Sequence, residues 1–300
     1  RVPIRHGGAR PLPRAARDGR TPGAEAVSAG GAVWLGMHGA QWLALCSALF
    51  TLALLTDAFL GHYRSGFEVR MQYAPFVLGP GLVAAFALAL VAPGFGWTRP
   101  LLRVIGWATI GLAVIGVAFH YYYGIIEKPG GHRWLLHHLM YHAPLLAPLG
   151  LAVAGAMALI VEASLGGTTL LGIASPAHAT LAVVVAALVG LMAQVAILHY
   201  RGAYNNPAMY APLVVALGAA GIAIWRGAAS SPVSIGAYES ALWVVFLTGF
   251  AGWGWHLRGL DRMMGGMYVA LPNVLEGPPA MAPLLFALLA AQGLVGENLL

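Results

Sequence analysis

The sequence predicts an all-α integral membrane protein: about eight transmembrane helices arranged as two parallel four-helix repeats made of helical hairpins. Three observations carry this. Apolar residues make up 59% of the 300-residue chain and charged residues 9%, against roughly 45–50% and about 25% in soluble domains. Apolar runs of spanning length recur along the whole chain, and residues of the first half return in the second at a nearly constant displacement.

At roughly 20 residues per crossing, the runs fall at 33–61, 74–95, 101–122, 143–164, 177–200, 209–226, 238–257 and 279–298. Residues 1–32, rich in Arg, Pro and Gly and lacking an apolar core, read as a disordered tail. The first four-helix repeat then occupies 33–164 and the second 165–300. The chain starts without an initiator Met and ends while its last helix is still running, as a fragment would.

The repeat is read from spacing. His62, Tyr63 and Arg64 return as His199, Tyr200 and Arg201, and Tyr73, Ala74 and Pro75 as Tyr210, Ala211 and Pro212, all displaced by 137 residues. Trp107 and His120 return as Trp243 and His256 at 136; Pro144, Pro148 and Glu162 return as Pro279, Pro283 and Glu297 at 135. Four crossings per half give both halves the same topology, so they are related by an axis along the membrane normal. Doubled four-helix units are loosely similar in architecture to the quinol-interacting anchors of molybdoenzyme complexes, a likeness that implies an anchor role.

Each odd helix ends near a histidine (His62, His120, His199, His256) and each even helix opens with a proline (Pro75, Pro144, Pro212, Pro279). Proline at a first turn loses no helix hydrogen bond, so the prolines need no further role. Gly106, Gly155 and Gly249 let helix backbones approach closely in lipid.

The polar chemistry gathers on one face. Of eleven tyrosines all but Tyr238, and of eleven histidines all but His6, His38 and His178, fall at or beyond the ends of odd helices. An interfacial aromatic belt would populate both membrane edges. Four histidines at comparable depth suit a bound group: imidazole ligates transition metals, and two of them ligate a haem axially. The expected cofactor is therefore haem or a transition metal held by His62, His120, His199 and His256, with Arg64 and Arg201 clamping phosphate, carboxylate or haem propionates through planar bidentate donors. The alternative is that each imidazole simply hydrogen-bonds in the headgroup zone and that the two arginines snorkel to lipid phosphates, the default for arginine at a helix end.

His138 and His142, four apart on one helical turn, form a second candidate metal pair. Asp57, five residues before His62, is a candidate metal ligand or outer acceptor for a ligating imidazole; the corresponding residue in the other half is Gln194. Glu162 and Glu297 read as helix-end carboxylates in water or as proton-handling groups, the first being favoured where apolar sequence runs out.

The net charge of +6 comes almost wholly from arginine, Lys128 being the only lysine. That is a lipid-edge signature and argues against nucleic acid as partner. Basic residues leave the orientation open: with the tail included they favour the side of the chain termini, and counted over short loops alone they favour a cytoplasmic histidine face. Cys46, the single cysteine, excludes an intrachain disulfide and thiolate clusters. The functional expectation is a haem- or metal-binding redox subunit of a bacterial-type inner membrane, meeting quinone or a soluble redox partner. A proton-coupled or small-solute transporter and a non-catalytic membrane anchor are the alternatives.

Overall fold

The computed structural model describes residues 33–300; the tail expected at 1–32 lies outside them. The described chain opens with a hairpin, β1 (Val33–Trp34) paired antiparallel to β2 (Met37–His38). Its two linking residues, Leu35 and Gly36, both have positive φ, the requirement of the tight turn that matches strand twist. Trp42 closes over it, its indole N–H donating to the Trp34 carbonyl at 3.0 Å.

Helices follow in a repeated order. α1 (Gly39–Arg64) and α6 (Pro176–Arg201) have 26 residues each, and α2 (Ala74–Val91) and α7 (Ala211–Ala228) have 18 each. A short 3-10 turn precedes the second member in both halves, at Arg70–Tyr73 and Pro207–Tyr210. α3 (Thr98–Tyr121), prolonged by a π turn to Ile126, has α8 (Pro232–Asp261) as its counterpart in order. Left-handed glycines, Gly130 and Gly265, then introduce 3-10 turns at Gly131–Trp134 and Gly266–Val269. These lead into the seven-residue helices α4 (Leu135–Tyr141) and α9 (Ala270–Glu276). α5 (Leu149–Leu165) and α10 (Ala282–Leu299) end the two series.

Among the described residues, seven helical stretches are long and apolar enough to span a bilayer. The stretch expected at 143–164 is the shortest: its helix is the 17-residue α5, which at 1.5 Å per residue covers only about 25 Å of a core near 30 Å. Prolines set the limit. Pro148 has no N–H to donate to the carbonyl of Pro144, so residues 144–148 form turns, Ala147 N–H reaching the Pro144 carbonyl at 3.1 Å, and the helix begins at Leu149.

In each half the long helices close a ring, α1–α2–α3–α5 and α6–α7–α8–α10, and a seam joins the rings where α1 packs on α10 and α6 packs on α5. The seam holds the buried core: Leu43, Phe50, Met157, Ile160, Leu188 and Leu289 are all essentially inaccessible. The outer helices α2, α3, α7 and α8 instead expose Val77, Val104, Val214 and Leu247, the surface a bilayer covers. Glycines permit the closest crossings. A Cβ on Gly155 would stand 2.6 Å from the Gly106 carbonyl where α3 crosses α5, and one on Gly249 would stand 2.7 Å from the Ala287 nitrogen where α8 crosses α10.

The expectation that Glu162 and Glu297 are water-facing is corrected here. Both side chains are buried, at 8% and 9% exposure, and both are ion-paired. Arg99 and Arg103 reach Glu162 Oε1 at 3.0 and 2.7 Å, and Arg226 reaches Glu297 Oε1 at 2.9 Å. The arginines come from other helices, so the loss of apolar character along one helix could not foretell the pairing.

Candidate functional site

The helix-end histidines and the helix-opening prolines form one device. His120 Nδ1 donates to the Pro144 carbonyl at 2.8 Å, and His256 Nδ1 donates to the Pro279 carbonyl at 2.7 Å. In both places the residue four further on is a second proline, Pro148 or Pro283, which cannot supply the helical N–H that this carbonyl would otherwise receive. Backbone carbonyls short of a donor are costly at a lipid edge, and the imidazole of the preceding long helix supplies one, beside the Ala147 N–H in the case of Pro144. His199 Nδ1 donates in the same manner to the Met209 carbonyl at 2.7 Å, just before the helix that Pro212 opens.

A carbonyl only accepts, so each of these bonds fixes the tautomer: Nδ1 carries the proton and Nε2 keeps its lone pair. That is the orientation in which a histidine ligates a metal, its other nitrogen tied to a carbonyl or carboxylate. Among the described residues His62 has no such bond. It stands edge-on to His120 with ring centroids 6.1 Å apart, and Phe67 and Phe76 flank it, each at 6.1 Å. In the second half His199 and His256 instead each hold a carbonyl ahead of a following helix. Of the four imidazoles, the structure brings His62 of α1 and His120 of α3 into ring contact.

Asp57 does not orient any of them. Its carboxylate accepts the Met281 backbone N–H at 3.0 Å, across the seam at the start of α10. Gln194, at the corresponding place in the other half, accepts the Leu146 backbone N–H at 3.3 Å ahead of α5. Met281 and Leu146 are themselves separated by the repeat displacement of 135, so the two halves exchange reciprocal hydrogen bonds across the seam. Each long first helix steadies the start of the last helix of its neighbour.

His138 and His142 do share a face, with ring centroids 5.1 Å apart, and His137, not singled out by sequence, lies 5.8 and 6.1 Å from them. Both ring nitrogens of His138 are buried without a hydrogen-bond partner. Burial holds the His142 imidazole below its usual pKa, and the charges of Lys128, His138 and His137 add to the effect. Among the described residues no three His, Cys, Asp or Glu side chains gather closely enough to hold a metal ion. Asp57 therefore does not complete a set with His138 and His142.

The two arginines have different surroundings. Arg64 is ion-paired to Glu276 at 3.1 Å, so it is not free to clamp a ligand. Arg201 lies over the ring of Tyr141, 5.2 Å from its centroid. Nearby, Tyr204 stacks on Tyr210 at 4.4 Å, and burial together with the neighbouring Tyr210 raises the Tyr204 hydroxyl above its usual pKa.

Comparison with family models, with curated proteins and with solved structures finds no match. The functional reading therefore stands on geometry.

Proposed function

We propose that this polytopic membrane protein is a tandem of two parallel four-helix units, each crossing the bilayer four times. Each unit presents a pair of imidazoles to a metal centre at one membrane edge, and the protein acts as a haem- or metal-binding redox subunit. The observation that carries the reading is the His62–His120 pair, with centroids 6.1 Å apart. Two imidazoles on opposite sides of one metal, each nitrogen about 2 Å away, set their ring centroids about 6 Å apart. Support comes also from the carbonyl bonds of His120, His199 and His256, which leave Nε2 as the ligating nitrogen.

Two protein ligands per site favour haem over a bare zinc ion. A porphyrin supplies four donors of its own and asks the protein only for axial ligands, whereas structural zinc takes four protein ligands and catalytic zinc three. Phe67 and Phe76 give His62 the apolar surroundings that such a group requires. Quinone or a soluble redox partner would meet the centre from the tyrosine-bearing edge, in a bacterial-type inner membrane.

The test is an absorption spectrum and elemental analysis of detergent-purified protein. A Soret band or stoichiometric metal is expected, lost in the His62→Ala plus His199→Ala variant with helix content retained. Colourless, metal-free protein with normal helix content would overturn the reading.

A further inference from the structure

The two halves place an arginine against the short helix of the opposite half, but only one of them supplies a carboxylate to meet it. Arg64, at the end of α1, pairs with Glu276 at the end of α9. Arg201 lies 137 residues after Arg64, and Tyr141 lies 135 before Glu276. The guanidinium of Arg201 sits over the Tyr141 ring, in the same relation with the acid replaced by an aromatic. Among the described residues Arg201 has no ion pair, and a ring face balances only part of a full charge.

Beside it opens a recess of about 490 Å³ lined by Met140, Tyr141, Tyr200, Arg201, Tyr204 and Tyr210. The corresponding stack in the first half is Phe67 on Tyr73, at 4.6 Å; the second half carries Tyr204 where Phe67 stands, and its hydroxyl anchors the stack by donating to the Ala196 carbonyl at 2.9 Å. The backbone there is also more demanding. Gly66 and Phe67 adopt left-handed φ in the first half, but in the second the pair is Ala203 and Tyr204, with φ of 55° and 47° and no glycine. Side chains held in this region cost free energy and cluster at functional sites.

We propose that this recess binds an oxyanion, carboxylate or phosphate. The Arg201 guanidinium holds it where the Glu276 carboxylate sits against Arg64, and the hydroxyls of Tyr200 and Tyr210 are further donors. The site lies at the end of a membrane-spanning helix, so the anion comes either from a lipid headgroup or from solution. The inference rests on the tandem reading but not on the metal centre; a colourless protein leaves it standing.

Native mass spectrometry of the full chain in detergent, titrated with phosphatidylglycerol and in parallel with inorganic phosphate, tests it. Wild type is expected to hold one more anion per chain than Arg201→Ala, with affinity falling at least tenfold in the variant. Tyr141→Glu, which restores a carboxylate opposite Arg201, is expected to abolish the same binding while keeping the fold, as Glu276 does at Arg64. Arg64→Ala should leave it unchanged, and Glu276→Tyr should create a second site. Retention of the lipid alone identifies a headgroup site and retention of phosphate a soluble one. Equal binding by wild type, Arg201→Ala and Tyr141→Glu, or no binding of either probe by wild type, overturns the proposal.

Discussion

In the first half, Glu162 is held by two arginines of α3, Arg99 and Arg103; in the second, Glu297 at the corresponding position is held by Arg226 of α7. The carboxylate is retained and its partner comes from a different helix. The backbone contacts behave otherwise. His120 and His256 satisfy corresponding proline carbonyls, and Asp57 and Gln194 satisfy corresponding N–H groups. An orphan backbone group has a fixed position and direction, so its partner must arrive from one place. A buried carboxylate has two oxygens and a long-range field, and an arginine from any neighbouring helix can answer it.

The largest expected effect exploits that difference. Arg226→Ala leaves Glu297, 9% exposed, without its only ion-pair partner among the described residues, and stripping one member from a buried pair costs about 3–5 kcal/mol. Arg99→Ala leaves Arg103 in place on Glu162, and its arginine is 40% exposed, so the loss should stay near the surface-pair value of about 1 kcal/mol or less. Reversible unfolding in mixed detergent, compared between the two variants, measures both. Equal losses would mean that the carboxylates are not the buried members of these pairs.

A smaller effect is expected at the seam. Asp57→Leu removes the acceptor for the Met281 N–H and should cost about 1–3 kcal/mol, the penalty of a buried donor left unsatisfied. Asp57→Asn keeps an acceptor and should retain most of the stability. Gln194→Leu breaks the longer reciprocal bond to Leu146 and should cost less than Asp57→Leu. Hydrogen exchange at the starts of α10 and α5 reads the two ends separately. If Asp57→Leu loosens neither, the seam does not depend on these bonds.

Much of this architecture was legible in the sequence, and what was hidden was hidden for definite reasons. Hydropathy located the long helices because lipid tolerates few charges along a span. The histidines and prolines were each visible as a series, yet the bond uniting them joins residues 24 apart in one half and 23 in the other, beyond any helical spacing. The signal that could have revealed it is the second proline, Pro148 or Pro283, which guarantees that a particular carbonyl lacks its helical donor. Asp57 was drawn toward His62 by proximity in sequence, whereas its partner Met281 is 224 residues away. His137 escaped notice because, unlike His138 and His142, it has no histidine four residues away.

The smallest effect comes from the backbone of the Arg201 recess. Ala203 has φ of 55° where its counterpart in the first half is Gly66 at 73°, so the second half holds a side chain in a conformation that glycine adopts without steric cost. Ala203→Gly relieves that strain in the folded state but adds freedom to the unfolded chain. At positive φ the first term is the larger, and a net gain of up to about 1 kcal/mol is expected. Gly66→Ala should cost a similar amount in the other half. Thermal unfolding of the two variants compares them directly. A stabilised Ala203→Gly protein that also binds anion more weakly would show that the strain holds the Tyr204–Tyr210 stack that shapes the recess; stabilisation with unchanged binding would assign the strain to the turn alone.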